Sequence, residues 1–140
     1  MRTITILFLF FFLTHNAVFA QSFEGGDGSS ANPWQISTPA QLNDVRNYLD
    51  EDHADKHFIV VNDIDLSAYL SNGGEGYAKW GALGWLPIGD AYFNDFRGVF
   101  DGNGHTISGL TINRPDGDNI GLFGYISGAT LKNIKLTDVD

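Results

Sequence analysis

The sequence predicts an all-β fold, a parallel β-helix with one capping α-helix at its N-terminal end. Three observations predict it. First, two stretches near the C-terminus nearly repeat. Gly98-Val99-Phe100-Asp101 leads to Thr106 through Ile112, and Gly121-Leu122-Phe123-Gly124 leads to Thr130 through Leu136, at offsets of 23 and 24 residues. Self-similarity at such a period marks a solenoid, whose units bury their apolar faces only by stacking. Second, Val61 through Leu66 gives a third copy, with apolar residues at steps of three and then two. A uniform strand gives steps of two, so the extra residue implies a corner. Asp63, Gly109 and Asn133 hold that corner, and these types most readily accept positive φ. Third, the chain has 17 Gly and no Cys, which suits many tight turns held by packing and hydrogen bonds alone.

The elements follow in order. Residues 1–20 read as a signal peptide. Arg2 opens it, Ile4 to Leu13 is apolar apart from Thr5, and Val18-Phe19-Ala20 places cleavage after Ala20. The apolar run is half the roughly 20 residues needed to span a bilayer. Residues 21–33, rich in Gly and Ser, read as a flexible leader. Residues 34–140 hold the N-terminal cap and the first β-helix turns, with repeats at 98–112 and 121–136. Trp34 to Ser37 is a short strand. Thr38-Pro39-Ala40-Gln41 starts a helix over Pro39 to Leu49, with Thr38 as cap, Pro39 at the first position and Gln41 closing a capping box. Leu42, Val45 and Leu49 recur at helical spacing. Phe58 to Leu66 is the next strand region. Ser67 to Phe96 is an excursion, first Gly-rich and then aromatic. In this arrangement Ile107, Leu110 and Ile112 stack over Leu131, Ile134 and Leu136.

Composition excludes some partners. The chain has 17 acidic and 8 basic residues. Nucleic acid and anionic membrane surfaces both call for clustered Lys and Arg. Neither is expected as a partner, nor is membrane insertion after cleavage.

With these residues in view, Phe96-Arg97-Gly98-Val99-Phe100-Asp101-Gly102-Asn103-Gly104-His105-Thr106-Ile107-Ser108-Gly109-Leu110, followed by Gly121-Leu122-Phe123-Gly124, resembles the GLUG-motif repeat proteins. Asn32-Pro33-Trp34, Asp63-Ile64-Asp65-Leu66 and Pro87-Ile88-Gly89 extend the likeness to about Gly28 through Asp140. These are secreted or surface-attached bacterial proteins, and the motif also occurs in non-catalytic regions of immunoglobulin A protease-like metallopeptidases. The resemblance implies a right-handed, pectate-lyase-like parallel β-helix with an adhesin-like or presenting role and no particular chemistry. Family members carry more repeats, so the chain reads as a truncated N-terminal part, with further β-helix turns or domains beyond Asp140.

No catalytic, cofactor or metal residue is assigned. His53 and His57 stand four apart, but Ala54 occupies the position where a metallopeptidase needs Glu. Asp101-Gly102-Asn103-Gly104 and Asp116-Gly117-Asp118 resemble pieces of calcium loops and lack the closing Glu. Calcium is thus the one cation to consider. Asp63 and Asp65 form no convincing pair for glycoside cleavage, and Gly104-His105-Thr106 misses the polygalacturonase Gly-His-Gly. Trp80, Trp85, Tyr92 and Phe93 are the candidate ligand surface, because exposed aromatic faces bind sugars and peptide side chains. The expected function is a non-enzymatic, exported, adhesin-like surface module, binding or presenting to glycan or extracellular protein. The alternative is the non-catalytic portion of a secreted polysaccharide-degrading enzyme or an immunoglobulin A protease-like peptidase.

Overall fold

The computed structural model describes residues 22–140, so the expected signal peptide lies outside the described residues. Seven short strands alternate with helical turns: β1 (Trp34–Ile36), α1 (Pro39–Asp44), β2 (His57–Val60), β3 (Ile64–Asp65), α2 (Ser67–Leu70), α3 (Glu75–Trp80), β4 (Val99–Asp101), β5 (Thr106–Ser108), β6 (Thr130–Lys132) and β7 (Lys135–Thr137). They build two parallel sheets, ordered β1-β2-β4-β6 and β3-β5-β7. The all-β, right-handed parallel β-helix of the sequence reading is therefore corrected. No strand exceeds four residues, and three α-helices and three 3-10 turns stand between the strands. The chain is a small α/β structure with two parallel sheets.

The repeat is real in the pairing but not at the expected register. Phe58 pairs with Phe100 and Phe100 with Leu131, while Ile64 pairs with Ile107 and Ile107 with Leu136. The spacing between partners is thus 29 or 31 residues where β4 meets β6 and β5 meets β7, against the 23 and 24 read from sequence. The reason is local. Each layer contains two strand-plus-corner units of similar pattern, and the sequence comparison matched β5 with β6. Gly109 and Asp138 follow the paired ends of β5 and β7 as matching corners (φ 67° and 51°), and Asn103 and Asn133 also take positive φ (52° and 53°) just past β4 and β6. Asp63 is not among the positive-φ residues.

Inner-face residues from both sheets share one core. Ile36, Val60, Phe100 and Leu66 are fully buried, with Phe58, Ile64, Ile107 and Leu110 at 1% exposure. Each such side chain contributes about 1.5–3 kcal/mol by leaving water.

The N-terminal helix is shorter than predicted. Thr38 Oγ1 accepts the Gln41 N–H at 3.2 Å, as a cap should. Gln41 Oε1, however, accepts from Ser37 N–H at 2.8 Å, one residue before the capping-box position. The helix tightens to a 3-10 turn at Val45–Asn47 and stops at Tyr48. Leu42, Val45 and Leu49 are buried, as their spacing requires.

Residues 23–25 pack onto the fold. Phe23 is buried against Trp34, Tyr48 and Phe58. Glu24 N–H donates to Gln35 O and Gln35 N–H to Gly25 O, both at 2.9 Å. Residues 24 and 25 thereby seal the outer edge of β1. In the excursion, a Gly-rich turn at residues 71–74 joins α2 to α3. A Cβ at Gly76 would sit 2.6 Å from the Tyr69 ring, so this glycine lets α3 close onto α2.

Candidate functional site

The four aromatic residues picked from sequence fall into two separate groups. Trp85 is fully buried. Its backbone N–H donates to Thr111 O at 2.8 Å and its Nε1–H to Leu122 O at 3.1 Å. Trp80 is half-buried, 5.5 Å from Trp85 in an edge-on contact. The guanidinium of Arg46 lies 5.0 Å from the Trp80 ring centre and 5.2 Å from that of Trp85. Its Nη2 donates to Leu86 O at 2.8 Å and its Nε to Asn43 Oδ1 at 2.8 Å. Trp85 is therefore corrected from ligand surface to core, and Trp80 packs with it. Burial pushes the Arg46 guanidinium down from its ordinary value, chiefly through lost hydration.

Tyr92 and Phe93 stand out from the surface, 72% and 93% exposed. Their rings meet edge-on at 5.0 Å, and Tyr125 meets Tyr92 edge-on at 6.5 Å. These rings border a cleft of about 350 Å³ that also takes in Asp95, Arg97, Ile126 and Ser127. The charged pair in it is rigid. Arg97 Nε donates to Asp95 Oδ2 and Nη2 to Asp95 Oδ1, each at 3.0 Å. Such a fork fixes a planar guanidinium. The bonds from Arg97 are the main cause that holds the Asp95 carboxyl below its ordinary range, and Asp95 raises Arg97 in turn. Arg97 Nη1 faces Glu51 Oε1 at 4.0 Å.

Sequence reasoning missed Tyr125, Asp95 and Arg97. A signal existed for the last two, because positions two apart on an extended segment lie on one side. Tyr125 offered none. It arrives through tertiary pairing, with Phe96 N–H donating to Tyr125 O at 2.9 Å and Tyr125 N–H to Gly89 O at 2.7 Å.

A neighbouring cleft of about 380 Å³ is lined by Leu86, Asp90, Arg114, Asp116 and Asp118, among others. Its cation is committed to the backbone: Arg114 Nε donates to Trp85 O at 3.1 Å and Nη2 to Gly84 O at 3.2 Å.

The carboxylates of Asp101, Asp63 and Asp65 are occupied by the protein's own donors. Asp101 Oδ1 accepts from Asn103 N–H at 2.8 Å and from Asn133 Nδ2 at 2.9 Å, while Oδ2 meets Lys132 Nζ at 3.1 Å. Burial raises its carboxyl, but the bonds from Asn133, Asn103 and Lys132 prevail and leave it low. Asp63 Oδ1 accepts the Thr106 N–H at 2.8 Å and faces His105 Nδ1 at 3.3 Å. The first of these contacts chiefly lowers its pKa. Asp65 Oδ1 accepts the Ser67 N–H at 2.8 Å. Among the described residues, no three His, Cys, Asp or Glu side chains come together as metal ligands. Also among these residues, no helix is long and apolar enough to cross a membrane.

The chain is 45% identical over 137 residues to a protein of Evansella cellulosilytica described as a "Putative Gly-rich membrane protein". That match takes in 96% of this chain and 14% of the relative. It is 34% identical over 113 residues to halomucin of Haloquadratum walsbyi, covering 79% of this chain and 1% of that protein. No family model matches the chain. A crystal structure described as a "putative immunoglobulin A1 protease" from Bacteroides ovatus superposes with a TM-score of 0.64 at 20% identity, over 84% of this chain and 30% of that one. At that identity the likeness carries the fold alone. The GLUG motif itself stays a reading of the sequence. The chain spans a seventh or less of the length of both sequence relatives.

Proposed function

We propose that this chain is a non-catalytic, exported cell-surface module that binds glycan through the Tyr92–Phe93–Tyr125 cleft. The observation that carries the reading is the pairing of two exposed, mutually perpendicular rings with the fixed Asp95–Arg97 fork. Exposing Phe93 at 93% has a solvation cost that a purely structural residue would avoid. Ring faces suit the C–H faces of a pyranose, and a held guanidinium offers directed donors to its hydroxyls. Asp95 spends both oxygens on Arg97, which favours recognition over proton transfer. Calcium has no part in this reading. The similarity to a protein described as a Gly-rich membrane protein supports a surface setting.

A second reading is favoured by the fold likeness to the Bacteroides ovatus protein. In it, the same cleft serves as the non-catalytic substrate-holding portion of a secreted enzyme.

A glycan array probed with the chain and with Tyr92→Ala and Phe93→Ala variants tests the cleft. Binding by the parent and loss of about tenfold or more in the variants is expected, corresponding to about 1.4 kcal/mol. Binding that survives both substitutions, or no binding by the parent, removes the proposal.

A further inference from the structure

Resting on the glycan reading of the Tyr92–Phe93–Tyr125 cleft, we propose that this cleft selects uncharged glycans and rejects carboxylated or sulfated ones, and that Asp95 is the residue that sets the choice. Arg97 is the one cation among the residues lining the cleft. Both oxygens of Asp95 lie on it at 3.0 Å. Glu51 Oε1 stands 4.0 Å from its outer nitrogen, Nη1. One guanidinium between two carboxylates sums to a net negative charge. An anionic sugar therefore finds no unmatched cation here.

Asp95 is also unable to step aside. It is 5% exposed, whereas the Arg97 side chain is 37% exposed. Phe96, between them, is fully buried. Its N–H donates to Tyr125 O at 2.9 Å, and its C=O accepts from Ser127 N–H at 3.0 Å. These two bonds fix the backbone on both sides of the fork and bring Tyr125 and Ser127 to the same cleft. A ligand carboxylate or sulfate that drew Arg97 away would leave a buried carboxylate with neither water nor counter-charge. One that shared Arg97 would place two anions against a single cation, and like charges that close repel.

A neutral hydroxyl meets neither obstacle. The fork uses Nε–H and one N–H of Nη2. The guanidinium keeps its outward N–H groups, which donate to hydroxyl oxygens without any need for charge. The surroundings act in the same direction. Tyr125 also borders the neighbouring cleft, whose acids are Asp90, Asp116 and Asp118 and whose Arg114 is held by carbonyls. The chain as a whole carries a formal charge of −9.

The test probes one glycan array with the full chain, Asp95→Asn and Glu51→Gln. The array includes β-1,4-linked mannose and mannuronate oligomers of equal length, which differ only at C6. The readout is the ratio of binding to uronate- or sulfate-bearing members over binding to uncharged ones. The parent is expected to favour uncharged members by about tenfold or more. Asp95→Asn keeps the shape and removes the charge that neutralises Arg97. It should raise the ratio by about tenfold, and the gain should shrink as salt is raised from about 0.05 to about 0.5 M. Glu51→Gln, at a side chain 93% exposed, should raise the ratio by about two- to threefold. Equal binding of both classes by the parent, or preference for the acidic one, overturns the proposal and leaves the glycan reading standing. So does a ratio unchanged in Asp95→Asn, or in Glu51→Gln where Asp95→Asn fails to melt cooperatively. Binding of no glycan by the parent removes the glycan reading and this proposal with it.

Discussion

The guanidinium of Arg46 lies over the face of Trp85, 5.2 Å from its ring centre, and donates to the carbonyl of the residue after it, Leu86, at 2.8 Å. This relationship ties the N-terminal helical turn to the aromatic part of the excursion. It also accounts for the burial of Trp85 and for the packing of Trp80 against it. The cation comes from a residue 34 positions before Trp80 and 39 before Trp85.

Replacing Arg46 by Ala should cost about 2–3 kcal/mol, from the lost cation–π contact and the carbonyl left without its donor. Arg46→Lys should recover only part, because an ammonium cannot match the planar fork. Urea unfolding of the three proteins measures both. A loss under about 0.5 kcal/mol for the Ala variant, the range of an ordinary surface change, would contradict the buried role.

Trp85→Ala should destabilise by about 3–5 kcal/mol, as expected for removing a buried aromatic. Phe93→Ala should change stability by less than about 0.5 kcal/mol while abolishing binding in the proposed cleft. Thermal melts of both variants separate the core residue from the exposed one.

In the ladder, Ile107→Ala should cost about 2–5 kcal/mol and Leu136→Ala clearly less. Ile107 is sealed between Ile64 and Leu136, whereas Leu136 has a neighbour on one side only. Equal losses in chemical denaturation would mean that the last layer is better covered than its 39% exposure indicates.

Asp101, Asp63 and Asp65 all have carboxyl groups lowered below the ordinary 3.8 by hydrogen bonds made in the fold. A lowered folded-state value means that the unfolded chain binds protons first as pH falls. The stability these groups contribute is therefore complete above about pH 5 and is lost progressively as pH drops through 3.8 toward the lower folded values. Melting temperature followed from pH 6 to pH 2 should fall in that window. Asp101→Asn should flatten the fall, because it removes a carboxylate that accepts from Asn103, Asn133 and Lys132.

Apolar spacing identified Leu42, Val45 and Leu49 as a buried helical stripe, and the Thr38-Pro39-Ala40-Gln41 pattern identified Thr38 as a cap, because both depend on neighbours within a few positions. Register did not follow from the same pattern. The β5 corner at Gly109 and the β6 corner at Asn133 look alike in sequence, yet in space the Asn133 turn lies beside Asp101, whose Oδ1 accepts from Asn133 Nδ2 at 2.9 Å. The helices at Ser67–Leu70 and Glu75–Trp80 were hidden by glycines. One of these, Gly76, is explained only by the Tyr69 ring against it.

By itself, the sequence determined that short strands of similar pattern recur along the chain and that Leu42, Val45 and Leu49 form a buried helical stripe. These are properties of composition and short-range spacing. The tertiary structure decided that the strands form two parallel sheets interrupted by helical turns, that Trp85 belongs to the core, and that Tyr92, Phe93, Tyr125 and Arg97 border one cleft. Those outcomes depend on contacts between residues some 30 or more positions apart, such as Arg46 with Trp85 and Tyr125 with Gly89, and on which apolar groups are covered once the layers have stacked.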